Sequence, residues 1–140
     1  VENKVRILVV DDETGLCDFI RYYLTKQGIE VEVAFRAQEA LEILNQGTFH
    51  VVLADIMMPS MDGLELLRQI KESNPQVVVI MMTAYASLDK AVKAIAYGAA
   101  DLLVKPFEAN KLLQAINDSL KNTDSSSVPD EPPSQLSTEQ

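Results

Sequence analysis

The chain has 140 residues, 47% of them hydrophobic and 24% charged, and its acidic residues outnumber Lys and Arg by 21 to 12 for a net charge of -9. This fits one globular unit with a real core and no second catalytic domain within these residues. The acidic balance excludes a nucleic-acid backbone binder, which needs a basic face, and points to a cation or a basic partner surface. A single cysteine, Cys17, excludes an internal disulfide, and a single histidine, His50, excludes a histidine metal cage. No apolar run reaches the ~18 residues of a membrane span and no signal-peptide pattern is present, so a cytoplasmic protein without a membrane partner is expected. The first residue is Val1 rather than Met, as expected of a piece of a longer protein.

In chain order, Val5 to Val10 is a short apolar run that stops at Asp11-Asp12-Glu13, a first strand ending in acids. Leu16, Phe19, Ile20, Tyr23 and Leu24 then recur at helical spacing from Thr14 to Gln27, with Gly28 as a stop. Val31, Val33 and Phe35 alternate as a strand on a more exposed flank, and Ala37 to Gln46 is a second helix carrying Ala40, Leu41 and Leu44. Val51-Val52-Leu53-Ala54-Asp55 reads as a strand buried on both faces and closed by one carboxylate.

After the turn from Pro59 to Gly63, Leu64, Leu67 and Ile70 mark a third helix, which must stop before Pro75. Val77 to Met82, the most hydrophobic run, suits a central strand ending at Thr83. A fourth helix from Leu88 to Tyr97 is expected to pack Leu88, Ala91, Val92 and Ile95 on one face. Leu102 to Val104 is a fifth strand ending at Lys105-Pro106, and Ala109 to about Lys121 a last helix. Five strand–helix alternations predict an α/β fold, a doubly wound five-stranded parallel sheet of the flavodoxin-like (βα)5 kind. From Asn122 to Gln140 there are three prolines, five serines, four acids and no Lys or Arg. The expected division is therefore a domain over 1–121 and a Ser/Pro-rich acidic tail or linker over 122–140.

A parallel sheet gathers the carboxyl ends of its strands on one edge, so Asp11, Asp12, Asp55, Thr83 and Lys105 converge there. Asp55 by itself fits an ordinary turn or cap residue equally well. Three close carboxylates, however, resist joint ionisation without a cation, and the hard ion suited to carboxylates, waters and phosphate oxygens is Mg2+. With Lys105 and the Thr83 hydroxyl to stabilise phosphate oxygens, the set reads as a phosphoryl-transfer site. Asp55, from the middle of the strand series, is its expected nucleophile.

Val9-Val10-Asp11-Asp12-Glu13, Ala54-Asp55-Ile56-Met57-Met58-Pro59 with Met61-Asp62-Gly63, Met82-Thr83-Ala84 and Val104-Lys105-Pro106-Phe107 each stand on a strand end. In this order and spacing they resemble the receiver domain of two-component response regulators, over residues 4 to 121. The resemblance implies that Asp55 takes a phosphoryl group from a sensor histidine kinase or histidine phosphotransfer protein. Mg2+ would be held by Asp12, Asp55 and the Met57 carbonyl, with Asp11 acting through metal-bound water. Thr83, the Ala84 backbone N–H and Lys105 would hold the phosphate, and the Lys105–Pro106 bond would be cis. It also implies a switch that catalyses only its own phosphorylation and dephosphorylation. Movement of Thr83 would reshape the helix 4/strand 5/helix 5 face for an effector domain, a downstream protein or a phosphorylation-dependent dimer. No DNA-reading element lies in the 140 residues, so direct nucleic acid binding is not expected.

Leu102 stands where the family usually has Tyr or Phe, the aromatic that fills the space Thr83 vacates. Met57 and Tyr85 occupy positions that tune water access, which implies slow self-dephosphorylation. A purely structural reading makes Asp11 and Asp12 turn and cap residues, Thr83 a strand end and Lys105 a surface lysine. His50 is expected at the surface, Met57, Met58 and Met61 as loop packing, and Lys71-Glu72 and Lys90 to Lys93 as solvated helix faces. The alternative function is a receiver-like interaction module that works without phosphorylation. A hydrolase passing through an aspartyl intermediate would resemble a pattern with a second Asp at position 57. A flavin carrier would need a Ser/Thr/Gly-rich loop after the first strand.

Overall fold

The computed structural model describes residues 4–59, 62–84 and 88–125, with side chains to residue 122. The ten elements alternate as β1 (Arg6–Val10), α1 (Thr14–Lys26), β2 (Glu30–Ala34), α2 (Ala37–Gln46), β3 (Val51–Asp55), α3 (Gly63–Ser73), β4 (Val78–Thr83), α4 (Leu88–Ala96), β5 (Asp101–Val104) and α5 (Ala109–Ser125). The strands form one parallel sheet in the order β2-β1-β3-β4-β5. This is the expected doubly wound (βα)5 architecture.

Alternation along the strands builds two cores. Leu8, Val10, Val52, Ala54, Val79 and Met81 face one cluster, which takes Ala40 and Leu44 of α2 and Leu67 and Ile70 of α3. Ile7, Val9, Val51, Leu53, Val78 and Ile80 face the other, which takes Ile20 and Leu24 of α1 and Leu112 and Ile116 of α5. With both faces covered, β1, β3 and β4 read as nearly continuous apolar runs, because a parallel sheet has no solvent face to mark with polar residues. Between β1 and β3 the chain reverses its direction of winding, and the crevice at their carboxyl ends is the open place in such a sheet.

The expected termini hold with small shifts. Helix α1 ends through Gly28 at φ 84, with the Ile29 N–H returning to the Leu24 carbonyl at 3.1 Å. Phe35 lies beyond β2 and is exposed, and Ala34 is the buried residue of that edge strand. Helix α5 runs four residues past Lys121, and residues 126–140 of the expected tail lie outside the described residues, as do Met61 and Tyr85.

Two expectations fail. Leu88, Val92 and Ile95 do not pack inward: they are 77%, 58% and 57% exposed, and Ala94 is the buried residue of α4. This helix sits against α3 and β5 through its small side chains, so its bulkier stripe is left facing out. Nor is Lys71 a solvated helix lysine: its ammonium donates to the Pro75 and Val77 carbonyls at 2.9 and 2.6 Å. Those carbonyls belong to the α3–β4 connection and need donors, and burial lowers the lysine below its ordinary pKa.

Candidate functional site

The sheet ladder carries its register into the site. The Asp11 N–H donates to the Ala34 carbonyl at 3.1 Å, the Ile56 N–H to Met82 at 2.8 Å and the Lys105 N–H to Thr83 at 2.7 Å. Asp11, Asp55, Thr83 and Lys105 are thus held by the strands beside them, and rigid elements set their spacing. The Lys105–Pro106 bond is cis.

Behind Asp55 the chain turns sharply. Asp55 Oδ1 accepts the Met57 N–H at 3.2 Å, so the carboxylate does stabilise its own turn, as the plain reading of the sequence had it. Its other oxygen, Oδ2, faces Lys105 Nζ at 3.3 Å. Asp62 then caps α3 by accepting the Leu64 N–H at 3.0 Å. Gly63 allows the turn to close, since a Cβ there would collide with the Asp55 carbonyl and with Ile56 backbone atoms.

The acids gather as expected. Asp11, Asp12 and Asp55 each offer an oxygen within 4.8 Å of the others; Asp11 and Asp55 are buried and Asp12 is exposed. Lys105 Nζ lies 2.8 Å from Asp11 Oδ2, 3.1 Å from Glu13 Oε1 and 3.3 Å from Asp55 Oδ2. The Asp11 contact is an ion pair by distance, yet its direction is poor and Oδ2 accepts no hydrogen bond. Asp11 Oδ1 accepts the Glu13 N–H at 2.9 Å. Burial raises the Asp55 carboxyl above its ordinary value and the Asp11 charge adds to that, against the Met57 N–H and Lys105. Burial pulls Lys105 down, but the contacts to Asp11 and Glu13 and the charges of Asp11 and Asp55 outweigh it and hold the ammonium above its usual range.

One lysine among four carboxylates leaves a negative surplus, and a buried Asp11 oxygen lacks a hydrogen bond. The donor set is all oxygen, so it fits a hard divalent cation such as Mg2+. Thr83 is buried at the end of β4, Ala84 follows it exposed, and Met57 is 54% exposed on the rim. An open cleft adjoining the site is lined by Asp12, Met57, Asp62 and Lys90. Leu102, opposite Met81 in the sheet, is partly buried against the α3/α4 core.

The residue that sequence reasoning missed is Glu13. Its only signal is position, directly after Asp11-Asp12, where it reads as one more of the acids that end the first strand. His50 is exposed as expected, and its Nδ1 accepts the Arg6 N–H at 3.0 Å at the far edge of the sheet. Asp11 and Asp12 do not cap α1; Glu13 occupies that position.

Comparison with known proteins gives one consistent result. Residues 7–117 match the response regulator receiver domain family model. The transcriptional regulatory protein ZraR of Klebsiella oxytoca is 41% identical over 90% of this chain and 28% of its own length. A CheY-like receiver domain from Methanospirillum hungatei JF-1 superposes with a TM-score of 0.85 at 35% identity, covering 89% of this chain and 99% of its own. NtrX from Brucella abortus gives 0.84 at 34% identity over 89% of this chain and 28% of its own. The chain spans roughly a quarter of the length of the curated relatives it matches.

Proposed function

This chain belongs to the response regulator receiver domain family, and on that premise we propose that Asp55 is the phosphoryl acceptor of its Mg2+-dependent switch. The observation that carries the assignment is the position of Asp55 at the end of β3, next to the sheet's switch point and facing Lys105 at 3.3 Å. In the transfer, an Asp55 carboxylate oxygen forms the new bond to phosphorus. The bond from phosphorus to the donor breaks, and its electron pair leaves with the donor, an imidazole nitrogen of a histidine kinase or phosphotransfer protein.

Lys105 turns its ammonium to the phosphoryl oxygens, and the Thr83 hydroxyl and the Ala84 N–H complete their binding. Asp12, Asp55 and the Met57 carbonyl would hold Mg2+, with Asp11 beside them. The ion's contribution when bound is neutralisation of the surplus negative charge. The activity proposed for this domain is that of a switch that acts on itself.

A cognate histidine kinase is the partner class that kinship with ZraR and NtrX supports. The exposed stripe Leu88, Val92 and Ile95 on α4 and the exposed Val104 on β5 support reading this face as the output surface, for an effector, a downstream protein or a second copy. Beyond Ser125, where α5 ends, the Ser/Pro-rich composition supports a linker, which fits a chain that matches only part of longer relatives. Among the described residues no helix is long and apolar enough to cross a membrane, and a cytoplasmic site of action is part of the same reading.

Intact mass after incubation with acetyl phosphate or phosphoramidate and Mg2+ tests the assignment. One added phosphoryl group is expected, absent in Asp55→Asn and absent with a chelator. Addition to Asp55→Asn at the wild-type rate overturns it.

A further inference from the structure

Glu13 occupies the N-cap of α1, yet its side chain makes no capping hydrogen bond. The carboxylate instead reaches Lys105 Nζ at 3.1 Å, a contact between residues 92 positions apart. Its distance is shorter than that from Lys105 to the acceptor Asp55, at 3.3 Å. An ammonium has three N–H groups, and Asp11, Glu13 and Asp55 together occupy its near surroundings. Two of these N–H groups are hydrogen-bonded, to Glu13 and Asp55, so Lys105 can give the anionic oxygens of a phosphoryl group on Asp55 more than one donor only by loosening an existing partner.

The three partners are not equally able to yield. Asp11 is fully buried, so water cannot take the lysine's place beside it. Asp55 is the acceptor itself. Glu13 is 64% exposed, so water can replace the lysine around it at little cost. We propose that Glu13 is a positioning residue that holds Lys105 in a resting place and releases it when the phosphoryl group arrives, setting the rate of phosphorylation. The proposal rests on Asp55 as acceptor and adds a residue acting through Lys105 without touching the phosphorus.

Glu13→Ala removes both the contact and the charge, whereas Glu13→Asp keeps the charge at the helix start but shortens the arm by one methylene and so lengthens the 3.1 Å contact. Neither variant loses a capping bond, because none is made. With acetyl phosphate and saturating Mg2+, the Asp55 oxygen bonds to phosphorus as the acetyl–phosphate bond breaks and acetate leaves with the electron pair. The rate of this uptake is expected to rise about two- to fivefold in both variants, the scale of an exposed ion pair. In the resting protein, without donor, the Lys105 side-chain nitrogen resonance is expected to move in both.

If Glu13→Asp matches wild type and only Glu13→Ala is faster, Glu13 acts by repelling the anionic donor and the proposal is overturned. An unmoved Lys105 resonance in Glu13→Ala overturns it as well. Failure of wild type itself to gain a phosphoryl group refutes Asp55 as acceptor, a separate result because the resonance comparison needs no phosphorylation.

Discussion

Lys105 Nζ stands 2.8 Å from Asp11 Oδ2, and the Asp11 side chain is wholly shielded from water. The lysine therefore does two jobs. It faces Asp55, the proposed phosphoryl acceptor, and it keeps a buried carboxylate from standing alone.

Removing that charge at nearly constant volume should expose the second job. Lys105→Met is expected to lose about 2 to 4 kcal/mol of stability in metal-free buffer, below or within the range for breaking a buried pair because Lys105 and Asp11 Oδ2 meet without a hydrogen bond. Mg2+ should restore much of the loss, since a divalent cation can compensate the same acids. Urea unfolding with and without Mg2+ measures both. A loss that Mg2+ leaves unchanged would mean that the lysine stabilises by packing.

Asp55 makes acid stability informative. Its folded-state pKa is raised, first by burial and then by Asp11, so its charge destabilises the fold wherever the folded state holds it ionised. As pH falls from neutral through that raised value toward the ordinary 3.8, the folded state takes up its proton before the unfolded one and the penalty disappears. Asp55→Asn should therefore exceed wild type in stability at neutral pH without metal, and the gap should close on acidification. Equal stability of the two proteins at neutral pH would show that Lys105 already cancels the penalty.

Gly63 should not tolerate a side chain. Its N–H donates to the Ile56 carbonyl at 2.8 Å, and an added Cβ would strike the Asp55 carbonyl and Ile56 backbone atoms, which cannot move without dragging Asp55. Gly63→Ala is expected to cost about 2 to 4 kcal/mol, at or above the usual range for overpacking because the obstacle is backbone, and to slow phosphoryl uptake at Asp55. Thermal unfolding and the mass assay report the two effects, and a wild-type melting temperature would contradict the geometry.

Cys17 should be silent as a thiol. Its Sγ donates to the Asp11 carbonyl at 3.3 Å, and burial, then the charges of Asp11 and Asp18, push its pKa from 9.0 to about 12. Iodoacetamide at pH near 9.0 should leave the folded protein unmodified and label it fully in denaturant, as read by mass. Between 9.0 and about 12 the unfolded thiol ionises first, so this group's contribution to stability is lost as the pH rises through that window. Rapid labelling of the native protein would contradict this.

Much was legible in the residues alone. Abrupt ends of the apolar runs at Asp11, Asp55, Thr83 and Lys105 marked the strand ends, and parallel topology then placed all four on one edge. The site's composition followed from the fold class, because alternating strands and helices leave only one place for such residues to meet. Even the turn role of Asp55 was visible, and it is compatible with the proposed chemical one.

Other features depended on which neighbours the fold supplied. Helical spacing in α4 showed an apolar stripe but not that Ala94, on another side, would be the inward contact. Lys71 looked like any solvated helix lysine until the turn at Pro75 brought carbonyls within reach. Glu13 met Lys105 only because parallel strands brought two distant chain segments to the same edge. Periodicity is a local property and determined the elements and the edge on which the chemistry sits. Partnership between side chains depends on distances across the sheet, so only the tertiary structure decided which carboxylates share the lysine and which apolar face remains exposed.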